Sequence, residues 1–138
     1  RMKEHGNVLL SGPAKEAVSG VIYDVTSTPS SFAEANADVV TTFLKVTSEM
    51  NTMYAENPEP MYEAISIEAG MDMEGTKAIL AVMAFMSAET QLSDQWMGKW
   101  LAGDLKRQAL ALEAAGKITA LDDYDALVNT TYLAAAAK

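Results

Sequence analysis

The chain carries few residues of the types that enzymes use for bond chemistry. Its one histidine, His5, sits in a polar opening segment, where a triad or a His-His metal site would lack its second component. There is no cysteine, so thiolate zinc sites, cysteine nucleophiles and disulfides are all excluded. Carboxylates are more abundant, and Asp122, Asp123 and Asp125 cluster near one end. They miss the Asp-x-Asp-x-Asp-Gly spacing of a calcium loop, because Ala126 follows Asp125, and they read as a solvated turn. Trp96 and Trp100 are four apart, a spacing that suits packing on one helix face or stacking on a ligand. The nine methionines are dispersed and read as filling of irregular core space. No glycine-rich phosphate loop, nucleophile elbow or HExxH occurs. No catalytic residue, metal site or cofactor is therefore expected.

Asp24 is the remaining candidate. It lies inside "VIYDVTST", Val21 to Thr28, a β-branched run closed by Pro29 that reads as a strand. In strand geometry Val21, Tyr23 and Val25 point one way, and Ile22, Asp24 and Thr26 the other. If both faces were covered, an unpaired carboxylate would be costly to bury. Its partner would be a Lys or Arg, backbone N–H groups, water at a strand end, or the ammonium of a ligand held by a charge-assisted hydrogen bond.

The elements that would position these residues are mostly helical. "NVLLS", Asn7 to Ser11, reads as a first short strand before Gly12-Pro13. Ser30 or Ser31 can cap a short helix at "SFAEAN", and Asp38 a longer one in which Val39, Phe43, Val46, Met50 and Met53 recur at steps of four and three, one face of a helix. Pro60 opens the next helix and Gly70 ends it, Asp72 caps "MEGTKAILAVM", and Ser87 caps a short helix. A further helix follows Gly98, with Leu101, Leu105, Gln108 and Leu112 along one side and Gly116 as its stop. The expected fold class is thus α/β: two short strands followed by helices that need a parallel sheet to pack on, the sheet lying mostly elsewhere.

The composition is globular, at 49% hydrophobic and 21% charged over 138 residues. A net charge of -9 with ten scattered basic residues argues against nucleic-acid binding, which needs clustered cations. No apolar run reaches the ~20 residues that span a bilayer. The sequence opens on Arg1, which is expected of a processed or fragmentary polypeptide.

The stretch from Asp24 through "SFAEANADVVTTFLK" resembles the closing portion of the periplasmic taurine-binding proteins of ABC importers, within the type II solute-binding superfamily. Phe32, Ala33, Glu34, Asn36, Val39, Val40 and Phe43 match its Phe-Ala-Glu-x-(Asn/His)-Pro-x-Val-Val-x-x-Phe pattern, with Ala37 in place of the proline. "QLSDQWMG", Gln91 to Gly98, and "ITALDDYDALVN" resemble later segments of that family. The resemblance implies the C-terminal part of a two-lobed periplasmic-binding-protein-like fold, with residues 1-20 ending the second lobe and entering the crossover, and 21-138 forming the crossover strand and helical return of the first. It implies a non-enzymatic, periplasmic binder of a small zwitterionic sulfonate such as taurine. The expected partners are a membrane permease and the N-terminal portion of the same fold. Asp24 would accept from the ligand's amino group, with Tyr23 and Thr26 beside it as ligand-binding residues. An aromatic residue found upstream in some members is replaced here by the Val18-Ser19 region. Two alternatives stand beside this reading: an enzyme on the same scaffold, as in thiamine-pyrimidine synthesis, and a helical interaction module that works without a small ligand.

Overall fold

The structure, a computed structural model, describes residues 2–7, 9 and 22–138, and among them helices form and no strand does. This corrects the α/β expectation and, with it, the reading as the C-terminal part of a two-lobed fold with two short strands. Ile22 to Pro29 is neither helix nor strand, and Ile22 and Val25 are exposed. Val21 and, in the first expected strand, Val8, Leu10 and Ser11 lie outside the described residues. The physical reason is that β-branched composition reports a fit to a pleated, half-buried surface. Among the described residues no neighbouring strand supplies the ladder, so that preference has nothing there to act on.

The chain divides into two units, Arg1–Ser30 and Ser31–Lys138. Described parts of the first include one helical turn, α1 (Met2–His5), and the irregular Ile22–Pro29 segment. The second begins within α2 (Ser30–Ala35), which Asn36 separates from the 20-residue α3 (Ala37–Glu56). Asp38 falls in the first turn of α3, where a carboxylate meets the positive end of the helix dipole, instead of at its cap.

Short-range signals set most of the remaining boundaries. α4 (Glu59–Ala69) has Pro60 in its first turn, where the missing N–H costs nothing, and it ends at Gly70 in the left-handed conformation, φ 62°. Asp72 caps α5 (Met73–Leu80) by accepting from the Gly75 backbone N–H at 2.6 Å. Ser87 caps α6 (Ala88–Leu92) through the Thr90 N–H at 3.2 Å. α7 (Trp100–Ala114) is followed by Gly116 at φ 68°. A 3-10 turn (Asp125–Leu127) and α8 (Thr131–Ala136) complete the unit.

Apart from Tyr124, the interior is made of small or medium side chains. Ala102 and Ala109 of α7 pack with Tyr124, and Leu105, Ala120 and Val128 close around them. Leu80, Leu101 and Leu133 are also buried, and Thr76 is only 1% exposed. Thr76 satisfies its hydroxyl locally by donating to the Asp72 carbonyl at 2.8 Å. α3 packs on α8, and α4 on α5.

Between α6 and α7 the chain makes a tight reversal. The Met97 N–H reaches the Gln91 carbonyl at 2.9 Å, and the Trp96 and Gly98 N–H groups both reach Ser93 O, at 3.0 and 2.9 Å. A Cβ on Gly98 would lie 2.8 Å from the Ser93 carbonyl carbon and oxygen, whereas one on Gly103 within α7 would meet nothing within 4 Å. Gly98→Ala is therefore expected to destabilise the protein by about 1–3 kcal/mol through backbone displacement. Gly103→Ala should instead stabilise it by up to about 1 kcal/mol, because alanine is the better helix former. Urea unfolding followed by circular dichroism separates the two, and equal midpoints would show that the reversal yields without strain.

Candidate functional site

In the first unit the structure leaves Asp24 and Thr26 exposed and Tyr23 half-buried, with Tyr23 engaged in an interaction of its own. Among the described residues Asp24 has no hydrogen-bond or ion-pair partner. An exposed segment carries no desolvation penalty that a counter-ion would have to offset. The carboxylate is thus open to an external donor. His5 is exposed and lies 4.0 Å from the Glu4 carboxylate beside it. Among the described residues no group of three His, Cys, Asp or Glu side chains could hold a metal ion.

The second unit brings together polar residues that the periodicity did not single out. Asp104, at the interior-facing spacing of α7, is 5% exposed. It receives Arg107 on one oxygen and the Gln108 amide on the other at 2.6 Å. Its signal was an Asp followed by Arg at i+3 and Gln at i+4, positions that share a helix face. Nearby, Lys99 donates to Asp94 at 2.5 Å, and this hydrogen bond, reinforced by the attraction of the carboxylate, holds the ammonium pKa above its ordinary value. Trp100, Gly103 and these two pairs line a small open notch. Trp96, in the turn before α7, meets Trp100 edge to face, centroids 5.3 Å apart, so the two rings pack on each other across the helix start. Both cations of the notch face carboxylates, so it offers neutralised charge to any ligand. The Asp122–Asp125 run behaves as a turn, the Asp123 carboxylate accepting from the Asp125 N–H at 2.9 Å.

α3 differs most from its sequence reading. The regular apolar stripe Val39, Phe43, Val46, Met50 and Met53 stands 38% to 53% exposed. The more enclosed side carries Val40, Leu44, Ser48, Asn51 and Tyr54. Beside the stripe, α3, α6 and the end of α8 frame an open groove of about 1080 Å³, with Met53, Leu92 and Ala136 among its lining residues and Lys45, Glu49 and Glu89 as the charged ones. At the far end of α3, Tyr54 packs edge-on against Tyr62 and Phe85, centroids 6.2 and 4.7 Å apart. Lys77 lies 4.8 Å above the Tyr62 ring and is bridged to Glu59 at 3.1 Å.

Comparison with protein-family models, with curated proteins and with solved structures finds no match.

Removing Arg107 would leave the enclosed Asp104 carboxylate with one fewer donor. Arg107→Ala is expected to lower stability by about 1.5–3 kcal/mol, the range for hydrogen bonds to charged groups. Lys99→Ala breaks a solvent-exposed pair and should cost under about 1 kcal/mol. Thermal melts of both variants in low and high salt give the comparison, and equal losses would mean that the burial of Asp104 has no energetic consequence.

Proposed function

We propose that the chain belongs to the substrate-binding component of an ABC importer for taurine or a related aliphatic aminosulfonate, working in the periplasm beside a membrane permease. It performs no bond chemistry in this reading. The observation that carries it is the resemblance of two separated stretches, Phe32 to Phe43 and Gln91 to Gly98, to the taurine-binding proteins. The second of these forms the glycine-dependent reversal described above, so its residue pattern has a local structural cause. Asp24 is chemically suited to the ammonium end of the ligand: a carboxylate accepts charge-assisted hydrogen bonds, and here it is accessible. Tyr23 and Thr26, its neighbours in sequence, are the further ligand-binding residues in this reading. The sulfonate needs N–H or cationic donors, which this reading assigns to the N-terminal portion of the protein.

A second reading, a helical interaction module, is favoured by one specific observation, the half-exposed apolar stripe of α3. Exposed contiguous apolar surface is a common mark of an interaction site.

The transport reading is tested by titrating the protein, extended to its full reading frame, with taurine in a calorimeter. Binding is expected, and Asp24→Asn should weaken it at least tenfold while leaving the melting temperature unchanged. Equal affinity for the two forms would remove Asp24 from the site, and the absence of heat with taurine and other short aminosulfonates would remove the function.

A further inference from the structure

We propose that the face formed by α3, α6 and α8 docks an amphipathic helix of another protein, one whose apolar stripe is flanked by lysines or arginines. The proposal deepens the interaction-module reading and rests on it, independently of solute binding.

The apolar component is the line Val39, Phe43, Val46, Met50 and Met53. Its alternating steps of four and three keep these side chains on one seam of a straight helix, the spacing that another helix can follow along its length. From Val39 to Met53 the seam runs about 21 Å at 1.5 Å per residue, room for roughly four turns of a partner. At its Met53 end the seam meets a groove of mixed apolar and charged lining. Met53 also lines the open groove between α3 and α6, so the apolar strip continues towards Leu92 and Ala136.

The charge pattern selects among occupants. α3, α6 and α8 together contain Asp38, Glu49, Glu56 and Glu89 against one basic residue, Lys45. None of these acids takes part in the ion pairs formed in the described residues, where Lys77, Lys99 and Arg107 are matched to Glu59, Asp94 and Asp104. Glu49 and Glu89 line the groove itself together with Lys45, an excess of one acid, and Asp38 and Glu56 add to it along α3. A second copy of this chain would bring the same acids and a further net charge of -9, and like charge across an interface is unfavourable. An acidic helix meets the same objection. A basic amphipathic helix satisfies both components, its stripe covering the seam and its cations facing Glu49 and Glu89.

The test uses four fluorescein-labelled 18-residue helical peptides, followed by anisotropy at 150 mM salt. One has a leucine stripe flanked by lysines, one the same stripe flanked by glutamates, and the other two are scrambles of each composition with no stripe. The lysine-flanked amphipathic peptide is expected to bind at least tenfold more tightly than the other three. Glu49→Lys with Glu89→Lys should weaken it at least tenfold, and Val46→Glu likewise, whereas Glu63→Lys with Glu68→Lys on α4 should leave it within twofold. Amide chemical-shift changes in the unmodified protein should concentrate in α3, α6 and α8, a readout that depends on no variant folding. Equal binding of the lysine-flanked peptide and its scramble, equal weakening by both charge reversals, or shifts centred on α4 and α7 would each overturn the proposal. Tighter binding of the glutamate-flanked peptide would overturn the charge assignment while leaving an interaction face. No binding of either striped peptide would overturn the interaction reading as well.

Discussion

The backbone carbonyl of Met86 receives two side-chain amides, Asn51 from the middle of α3 at 3.0 Å and Gln91 from α6 at 2.9 Å. A carbonyl oxygen has two acceptor positions, and here one is used by a local amide five residues on and the other by one 35 residues away in sequence. The connection between α5 and α6 is thereby held to α3. One turn beyond Asn51, Tyr54 meets Phe85, the residue next to the latched carbonyl, and Tyr62 of α4. The polar latch and the aromatic contacts act on the same junction, so each reduces the conformational freedom that the other must overcome.

Such a junction matters because the interior holds few large apolar side chains. The buried set is mostly Ala33, Ala102, Ala109, Leu80, Leu101 and Leu133 with Tyr124, and its most enclosed member is the threonine Thr76. Alanine removes little area from water, and hydrophobic stabilisation scales with that area at about 25 cal/mol per Å². Much of the chain's apolar surface instead remains outside, on α3 and at Ile67, Ile79 and Val82. Specific hydrogen bonds, caps and ion pairs thus supply a larger share of what defines this structure than in a domain with a dense aliphatic core. Asp104 shows the same economy: a carboxylate occupies an interior-facing position of α7 and is made tolerable there by Arg107 and Gln108.

What the amino-acid sequence made legible was local. Asp72, Ser87, Gly70 and Gly116 mark helix ends because capping geometry is settled within a few residues of the cap. The helical period of α3 was equally plain. Which side of α3 faces inward was not, since periodicity identifies an apolar stripe and only the packing partner decides whether it is covered. Ile22 to Thr28 is not a strand for a related reason, because strand formation depends on hydrogen-bond partners supplied by other segments. Apolar periodicity does not mark Asp104, whose sequence signal is instead its partners at i+3 and i+4.

The position of Asp24 changes the physics of the proposed ligand contact. Within a covered strand, the carboxylate would have required a counter-ion for folding, and a ligand ammonium would have supplied it. In an exposed segment it is stable in water alone, and an ammonium at about 4 Å gains only about 1 kcal/mol at the dielectric constant of water. The same pair strengthens several-fold once water is excluded and the effective dielectric falls. Selective binding through Asp24 therefore depends on groups that close over the ion pair as the ligand enters, and the carboxylate contributes affinity in proportion to how completely they do so.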